Sequence, residues 1–485
     1  MQKLLLRNTI NVSTLNNRTT YFIAILLSIF FLSACTSHQI YRTDTSVCIS
    51  SIPEQECQQH TLQQYQDPQN DRNTYLISFI EFDDQGQLWN REQIDSVFTR
   101  INEEAGQADV LMVTFVHGWK HSAAPGDDNI KMFRRTLHRL MELENRISDA
   151  NSQQKPRKVI GIYLGWRGGS VSLPVAKELT FWDRKNTAHK VGHGGVTEVL
   201  TRLELVKKAK DTILKTEAIE AIKKKDKRSK LDLHQVAQTE SKTRLIIVGH
   251  SLGGAVVFSA LSQIIEGRFI DTHGPLGQIT NARSFGDLVV LINPAFEATR
   301  FSALSDMATE RGSYFASQLP VLVVLTSETD NATKIAFPIG RWFSTLFEKE
   351  HDVRRKNAVT KKQETIDQGK ANIYAIGHFE PYRTHYLRAN KVVNNDALVT
   401  PTVEEDIRSL FAISDRWEND TPGSSIAFYG STLERSSSSA GRNPYLVVQV
   451  DENLIPNHND IDDPRVISFL RQIILLASHR DNTKG

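Results

Sequence analysis

Leu245-Ile246-Ile247-Val248-Gly249-His250-Ser251-Leu252-Gly253-Gly254-Ala255 is the stretch on which the fold turns. Its first four residues are apolar and mostly β-branched, which suits a strand covered on both faces. An apolar helical pattern follows after a single turn. A chain that passes from strand to helix in so few residues needs glycine wherever a Cβ would strike its neighbours, and Gly249 and Gly253 flank Ser251 symmetrically. The serine is thereby pushed out above the sheet. The N-terminus of the next helix lies beneath it, and its dipole and free N–H groups favour negative charge there.

Working outward, the same texture repeats. Val110–Val116 is a continuous apolar run ending at His117-Gly118, Asn129–Ser148 has the spacing of an amphipathic helix, and Val159–Leu164 is another buried strand. Leu288–Ile292, Leu319–Leu325 and Tyr445–Val450 continue the pattern, and Asp463-Pro464 opens a closing helix over Arg465–Ala477. Upstream, Tyr75–Phe82 reads as the strand that opens the globular region, followed by a helix over Arg91–Glu104. Strands alternating with helices predict an α/β fold, with a mostly parallel central sheet and helices on both faces. Two stretches break the rhythm, about 171–241 and 331–443, and are expected to be insertions that form a cap. The first carries Lys207, Lys208, Lys210, Lys215, Lys223, Lys224, Lys225, Lys227, Arg228 and Lys230. That run suits either a solvated helix face or a surface for anionic headgroups. The second insertion includes the basic stretch Lys349–Lys362 and the polar run Ser436–Ser439.

Gly249-His250-Ser251-Leu252-Gly253-Gly254 in this setting resembles the nucleophile elbow of α/β-hydrolases, particularly lipases and esterases. The order of elements can be followed from about Leu111 to Ala477. The resemblance implies a serine hydrolase with Ser251 as nucleophile. It also implies an oxyanion hole made by the backbone N–H groups of Trp119, after the His117-Gly118 turn, and of Leu252. Such a serine needs a histidine base and an orienting carboxylate, and the fold orders them Ser, acid, His. Asp330, after the strand ending in Thr326-Ser327, is the expected acid, with Glu328 its rival. His458, in the loop between the last strand and the closing helix, is the expected base. His378 and His385 are the rivals, in a segment without a strand-to-helix return. His117 and His250 are expected to be structural. Gly192-His193-Gly194-Gly195 follows no strand and has no acidic residue placed as in dinucleotide folds, so no cofactor is expected. Asp460, Asp462 and Asp463 lack the spacing of a calcium loop, and no metal is expected.

The first residues read as an export signal. Lys3, Arg7 and Arg18 precede an apolar run from Tyr21 to Leu32 that is short for a membrane span. It ends Leu32-Ser33-Ala34-Cys35, which resembles the lipobox of bacterial lipoproteins and implies a diacylglyceryl group on Cys35 and a lipid-anchored protein. The predicted organisation is a signal peptide over 1–34, a polar tether over 35–72 and the hydrolase domain over 73–485. Thr36 in place of an aspartate implies sorting to the outer membrane, facing the periplasm. In that oxidising compartment Cys48 and Cys57, in the tether, are expected to pair.

Of the 485 residues, 24% are charged, and the formal net charge is +2. Without residues 1–34 the charges nearly cancel, giving no reason to expect nucleic-acid binding. The function expected is cleavage of carboxylic esters, with an ester or lipid substrate and the membrane as partners. A thioesterase or peptidase on the same triad, or a non-catalytic envelope binding lipoprotein, are the alternatives.

Overall fold

The computed structural model describes residues 38–150, 155–169, 181–225, 240–345, 348–390 and 402–478. The chain enters through β1 (Asp44–Ser50), the short helix α1 (Pro53–Glu56), β2 (His60–Asp67) and β3 (Asn70–Glu81). Next come α2 (Arg91–Gln107), β4 (Val110–Val116), α3 (Asp128–Ala150) and β5 (Lys158–Gly165). Two helices, α4 (Phe181–Val191) and α5 (Thr197–Lys225), precede β6 (Arg244–His250) and α6 (Leu252–Ile270). They are followed by β7 (Leu288–Ile292), α7 (Ser302–Arg311), β8 (Leu322–Ser327) and α8 (Phe337–Thr345). A hairpin of β9 (Asp352–Lys356) and β10 (Gln363–Asp367) leads through α9 (Gln368–Ile373) to β11 (His385–Ala389). The chain closes with α10 (Val403–Glu418), β12 (Ser425–Phe428), β13 (Ser431–Arg435), β14 (Tyr445–Val450) and α11 (Pro464–Ser478).

Among these residues, twelve strands make one sheet in the order β1-β2-β3-β5-β4-β6-β7-β8-β14-β11-β13-β12. From β3 through β11 every neighbouring pair is parallel. A parallel block must be covered on both faces. Its central strands show this directly, since every residue of β4, β7 and β8 is buried. Alternate side chains enter two separate cores. Leu245 and Ile247 pack on the side of α2, α5 and α6, whereas Ile246 packs on the side of α3, α10 and α11. The direction of progress through the sheet reverses between β4 and β6, because β5 lies on one side of β4 and β6 on the other. Such a reversal opens a crevice at the carboxyl ends of the strands, where open α/β sheets bind ligands.

The mostly parallel sheet with helices on both faces is as expected. Its edges differ. Within 35–72, where a tether is expected, β1 and β2 instead extend the sheet beyond β3. An edge strand needs few apolar side chains if its polar ones are satisfied. Thr61 donates to Arg42 O and Gln63 to Cys57 O, while Leu62 and Cys57 are buried. Cys48 and Cys57 are joined by a disulfide with Cα atoms 5.8 Å apart. Cys35 and the leader lie outside the described residues. The second insertion is likewise more than a cap, since β11, β12 and β13 lengthen the sheet past β14. Sequences such as His-Tyr-Leu-Arg-Ala carry no continuous apolar run to reveal this. β8 begins at Leu322 rather than Leu319, because Pro320 has no N–H for the ladder. In α5, Lys207, Lys208 and Lys210 are bound to Asp211, Glu204 and Ala105 O. Lys227, Arg228 and Lys230 lie outside the described residues.

Closing the nine-residue separation between Cys48 and Cys57 restricts the unfolded chain by about 2.5 kcal/mol on a loop-entropy basis. The double substitution Cys48→Ser, Cys57→Ser is expected to lower the unfolding free energy in urea by roughly that amount. An unchanged midpoint would show that the loop contributes nothing to the stability of the edge.

Candidate active site

Ser251 is held at φ 56°, ψ −122°, a conformation that side-chain-bearing residues rarely adopt. What imposes it is the demand that β6 end and α6 begin within one residue. Three backbone bonds fix the turn. Ser251 N–H donates to Ile292 O at 2.9 Å, and Ser251 O accepts from Gly254 N at 3.0 Å and Ala295 N at 3.1 Å. Two glycines make room. A Cβ on Gly118 would fall 2.6 Å from Ser251 Cβ, and one on Gly253 would fall 2.1 Å from Val116 O. The turns after β4 and β6 are thus in direct contact at the crevice. Leu252, at the first position of α6, has an N–H with no intrahelical acceptor. Trp119 follows Gly118 directly.

Ser251 Oγ lies 2.7 Å from His458 Nε2, and His458 Nδ1 lies 2.7 Å from Asp330 Oδ2. The three residues are separated by 207 and 128 positions in sequence and come together at the ends of β6, β14 and β8. The serine is 1% exposed, whereas the His458 side chain is 18% exposed, so solvent reaches the pair from the histidine side. Asp330 is fully buried. Burial alone raises its pKa, but hydrogen bonds from His458 and Thr333 outweigh that and hold it below the usual carboxylate value. Its Oδ1 accepts from Ala332 N at 3.0 Å and Thr333 N at 3.3 Å.

The loop carrying His458 is clamped by the ends of three strands. His250 Nε2 is 3.1 Å from His458 O and Asn293 Nδ2 is 2.8 Å from the same oxygen. Ser327 Oγ donates to Ile455 O at 2.5 Å and Thr329 Oγ1 to Pro456 O at 3.0 Å. Asn293 also accepts from Ser327 N at 3.0 Å and sits at φ 45°. Asparagine tolerates that region better than most residues. Sequence reasoning missed Asn293, and its place directly after an apolar strand was the available signal. It also missed Thr333, whose hydroxyl donates to Asp330 Oδ2 and lies 2.9 Å from His378 Nε2.

The rival residues lie apart from the serine. Glu328 accepts from Glu452 N and faces Arg388, and His385 is buried in β11 against Thr384. His378 stands behind Asp330 through Thr333. His117 is buried, accepts from Trp166 N at 3.0 Å and lies 3.0 Å from Gly118 O, so it braces the turn after β4. Asp463 binds Arg465 N and its guanidinium at the start of α11, and Asp460 binds Asn457. No group of three or more metal-ligating side chains occurs among the described residues.

Residues 215–372 match the model of a family described as alpha/beta hydrolase of unknown function (DUF900). That span takes in Ser251 and Asp330 and stops short of His458. The mostly parallel sheet and the match agree on an α/β-hydrolase fold. No curated protein is similar to the sequence. Among solved structures, phospholipase PlaB from Legionella pneumophila in complex with thio-NAD is similar at 12% identity, over 77% of this chain and 62% of that one. The chain therefore spans less than two thirds of that structure, and with a TM-score of 0.19 the likeness carries no weight for the function of this chain.

The buried histidines make stability depend on pH. Burial pushes His117 and His378 down to about 4 and His189 and His250 down to about 3. Unfolding returns each to about 6.5, so the unfolded chain takes up protons first as pH falls. The stability these groups contribute is complete above about pH 6.5 and is lost as pH falls, toward about 4 for His117 and His378 and toward about 3 for His189 and His250, at about 1.4 kcal/mol per pH unit for each. The urea midpoint is expected to be clearly lower at pH 5 than at pH 7.5. A flat profile would mean that these rings are hydrated in the folded protein.

Proposed function

On an α/β-hydrolase fold, we propose that the protein is a lipid-anchored serine hydrolase that cleaves carboxylic esters through Ser251, His458 and Asp330. The observation that carries this is the unbroken line of hydrogen bonds from Ser251 Oγ through both nitrogens of His458 to Asp330. With Nδ1–H donated to Asp330, His458 Nε2 is left as an acceptor and takes the serine proton as Oγ attacks the ester carbonyl. Asp330 stays ionised, its charge held by His458 and Thr333. Negative charge developing on the carbonyl oxygen is met by the N–H groups of Trp119 and Leu252 and by the N-terminus of α6. His458 then protonates the departing alkoxide. The acyl group remains on Ser251 until water, activated by the same imidazole, releases it.

The same steps serve a thioester or an amide. An ester of an apolar acid is favoured by the surroundings of the oxyanion turn, where Trp119 meets Phe181 edge-on at 5.3 Å and Phe181 meets Phe337 at 6.5 Å. A non-catalytic role is disfavoured by the conformation of Ser251, because a scaffold has no use for the strain. The anchor is proposed on Cys35, which places the enzyme on the periplasmic side of a bacterial envelope, in the outer membrane. No helix among the described residues is long and apolar enough to cross a membrane.

Hydrolysis of short p-nitrophenyl esters tests this reading. Ser251→Ala and His458→Ala are each expected to lower kcat by about ten-thousandfold or more, and Asp330→Asn by about a thousandfold or more. Glu328→Gln is expected to retain the parent rate. Full activity in Ser251→Ala would overturn the proposal, and loss of activity in Glu328→Gln but not in Asp330→Asn would reassign the acid.

A further inference from the structure

Strand polarity decides where the N-terminus leaves the folded body. β1 and β2 run parallel to each other and antiparallel to β3, so β1 begins at the carboxyl end of the parallel block. The contacts agree. Tyr41 and Arg42 N–H groups donate to the Glu81 carboxylate at the end of β3, and Arg42 Nε donates to Ala123 O in the loop after β4. The His38 ring lies 4.8 Å from that of Trp89. The first described residues therefore lie at the end of the sheet where the crevice opens. At about 3.5 Å per residue, the chain from Cys35 to Tyr41 spans at most about 20 Å.

The same end of the sheet carries an apolar ridge. The segment after Asp330 leads into α8, whose Phe337 is fully buried and packs 5.4 Å from Trp182, ring to ring. Ile335, Ile339 and Trp342, four and three residues apart and so on one helical face, are 53%, 57% and 52% exposed. The polar side chain of Arg341 turns inward to Glu297 and Asn372, which leaves these three apolar side chains together on the exposed side. Large apolar side chains grouped on one exposed helical face mark a contact with something other than water. β3 and β8 are separated by five strand spacings, about 24 Å, which puts the first described residues and the ridge on either side of the crevice.

We propose that Ile335, Ile339 and Trp342 rest in the surface of the bilayer that holds the N-terminus, so that the crevice opens against that lipid layer and draws its ester substrate from it. Isoleucine gains from leaving water there, and tryptophan favours the boundary between headgroups and acyl chains. The short reach from Cys35 permits this contact and opposes access to a second membrane. The identity of the substrate rests on the hydrolase reading above, and the contact rests on the anchor at Cys35 proposed there but not on the chemistry at Ser251.

The full chain is reconstituted into vesicles of equal parts phosphatidylethanolamine and phosphatidylglycerol. First, with Ser251→Ala in the background, acyl-brominated lipid is expected to quench tryptophan emission, and Trp342→Phe is expected to remove most of that quenching. Equal quenching with and without Trp342 would overturn the contact, whether or not the protein is a hydrolase. Second, with Ser251 present, the pair Ile335→Asp, Ile339→Asp is expected to lower hydrolysis of a vesicle-embedded fluorogenic ester by about tenfold or more. Hydrolysis of a water-soluble ester by the same variant is expected to stay within about twofold of the parent, because the ridge touches no reacting group. Ile270→Asp, at the far end of α6 from Ser251, is the control and is expected to change neither rate. Equal loss on both esters, or none on the embedded one, would overturn the proposed route of the substrate. Full hydrolysis by Ser251→Ala would instead remove the hydrolase reading and leave the quenching result standing.

Discussion

The left-handed turn at Ser251 is the constraint on which the rest depends. A residue at φ 56° between a strand and a helix costs conformational energy and tolerates nothing bulky beside it. Gly118 and Gly253 answer that crowding, and their own close approaches bind the turn after β4 to the turn after β6. The same packing sets Gly118, which precedes Trp119, directly against Ser251, which precedes Leu252.

Around this turn the sheet acts as a set of rigid posts. β7 and β8 end in Asn293, Ser327 and Thr329, and their side chains hold three carbonyls of the loop after β14. That loop has no regular structure of its own, yet its histidine meets a serine 207 residues away at hydrogen-bond distance. Positioning to within a fraction of an ångström matters for proton transfer, and strand ends supply it better than loops do. The neighbouring rings serve the same purpose. His117 and His250 are too deeply buried to carry charge near neutral pH and instead donate or accept fixed hydrogen bonds to the loops that matter.

Much of the fold was legible in the sequence because a parallel strand buried on both faces writes itself as an uninterrupted apolar run. β4, β6, β7 and β14 announced themselves in that way. β1, β2, β11 and β13 did not, because strands toward the edge of a sheet satisfy polar side chains with local hydrogen bonds and need few apolar ones. In the candidate site, Ser251 stood out from its glycines, and Asp330 and His458 followed from the order of elements. Whether His458 or the histidines near 380 reached the serine depended on a long loop, and nothing in a pattern of residues fixes the path of a loop. Thr333 and Asn293 were invisible for a related reason. Their importance lies in what they touch across the fold, and a lone threonine or asparagine has many local uses.

The proposed chemistry requires a covalent acyl group at Ser251. Acid quench during turnover of a slowly released ester, followed by tryptic digestion, isolates the peptide Leu245–Arg268 that contains this serine. The peptide is expected to gain the mass of the acyl group, fragmentation to place it on Ser251 rather than Ser259 or Ser262, and Asp330→Asn to slow its appearance. An unmodified peptide during rapid turnover, or an acyl group on any other residue, would contradict a serine nucleophile at this turn.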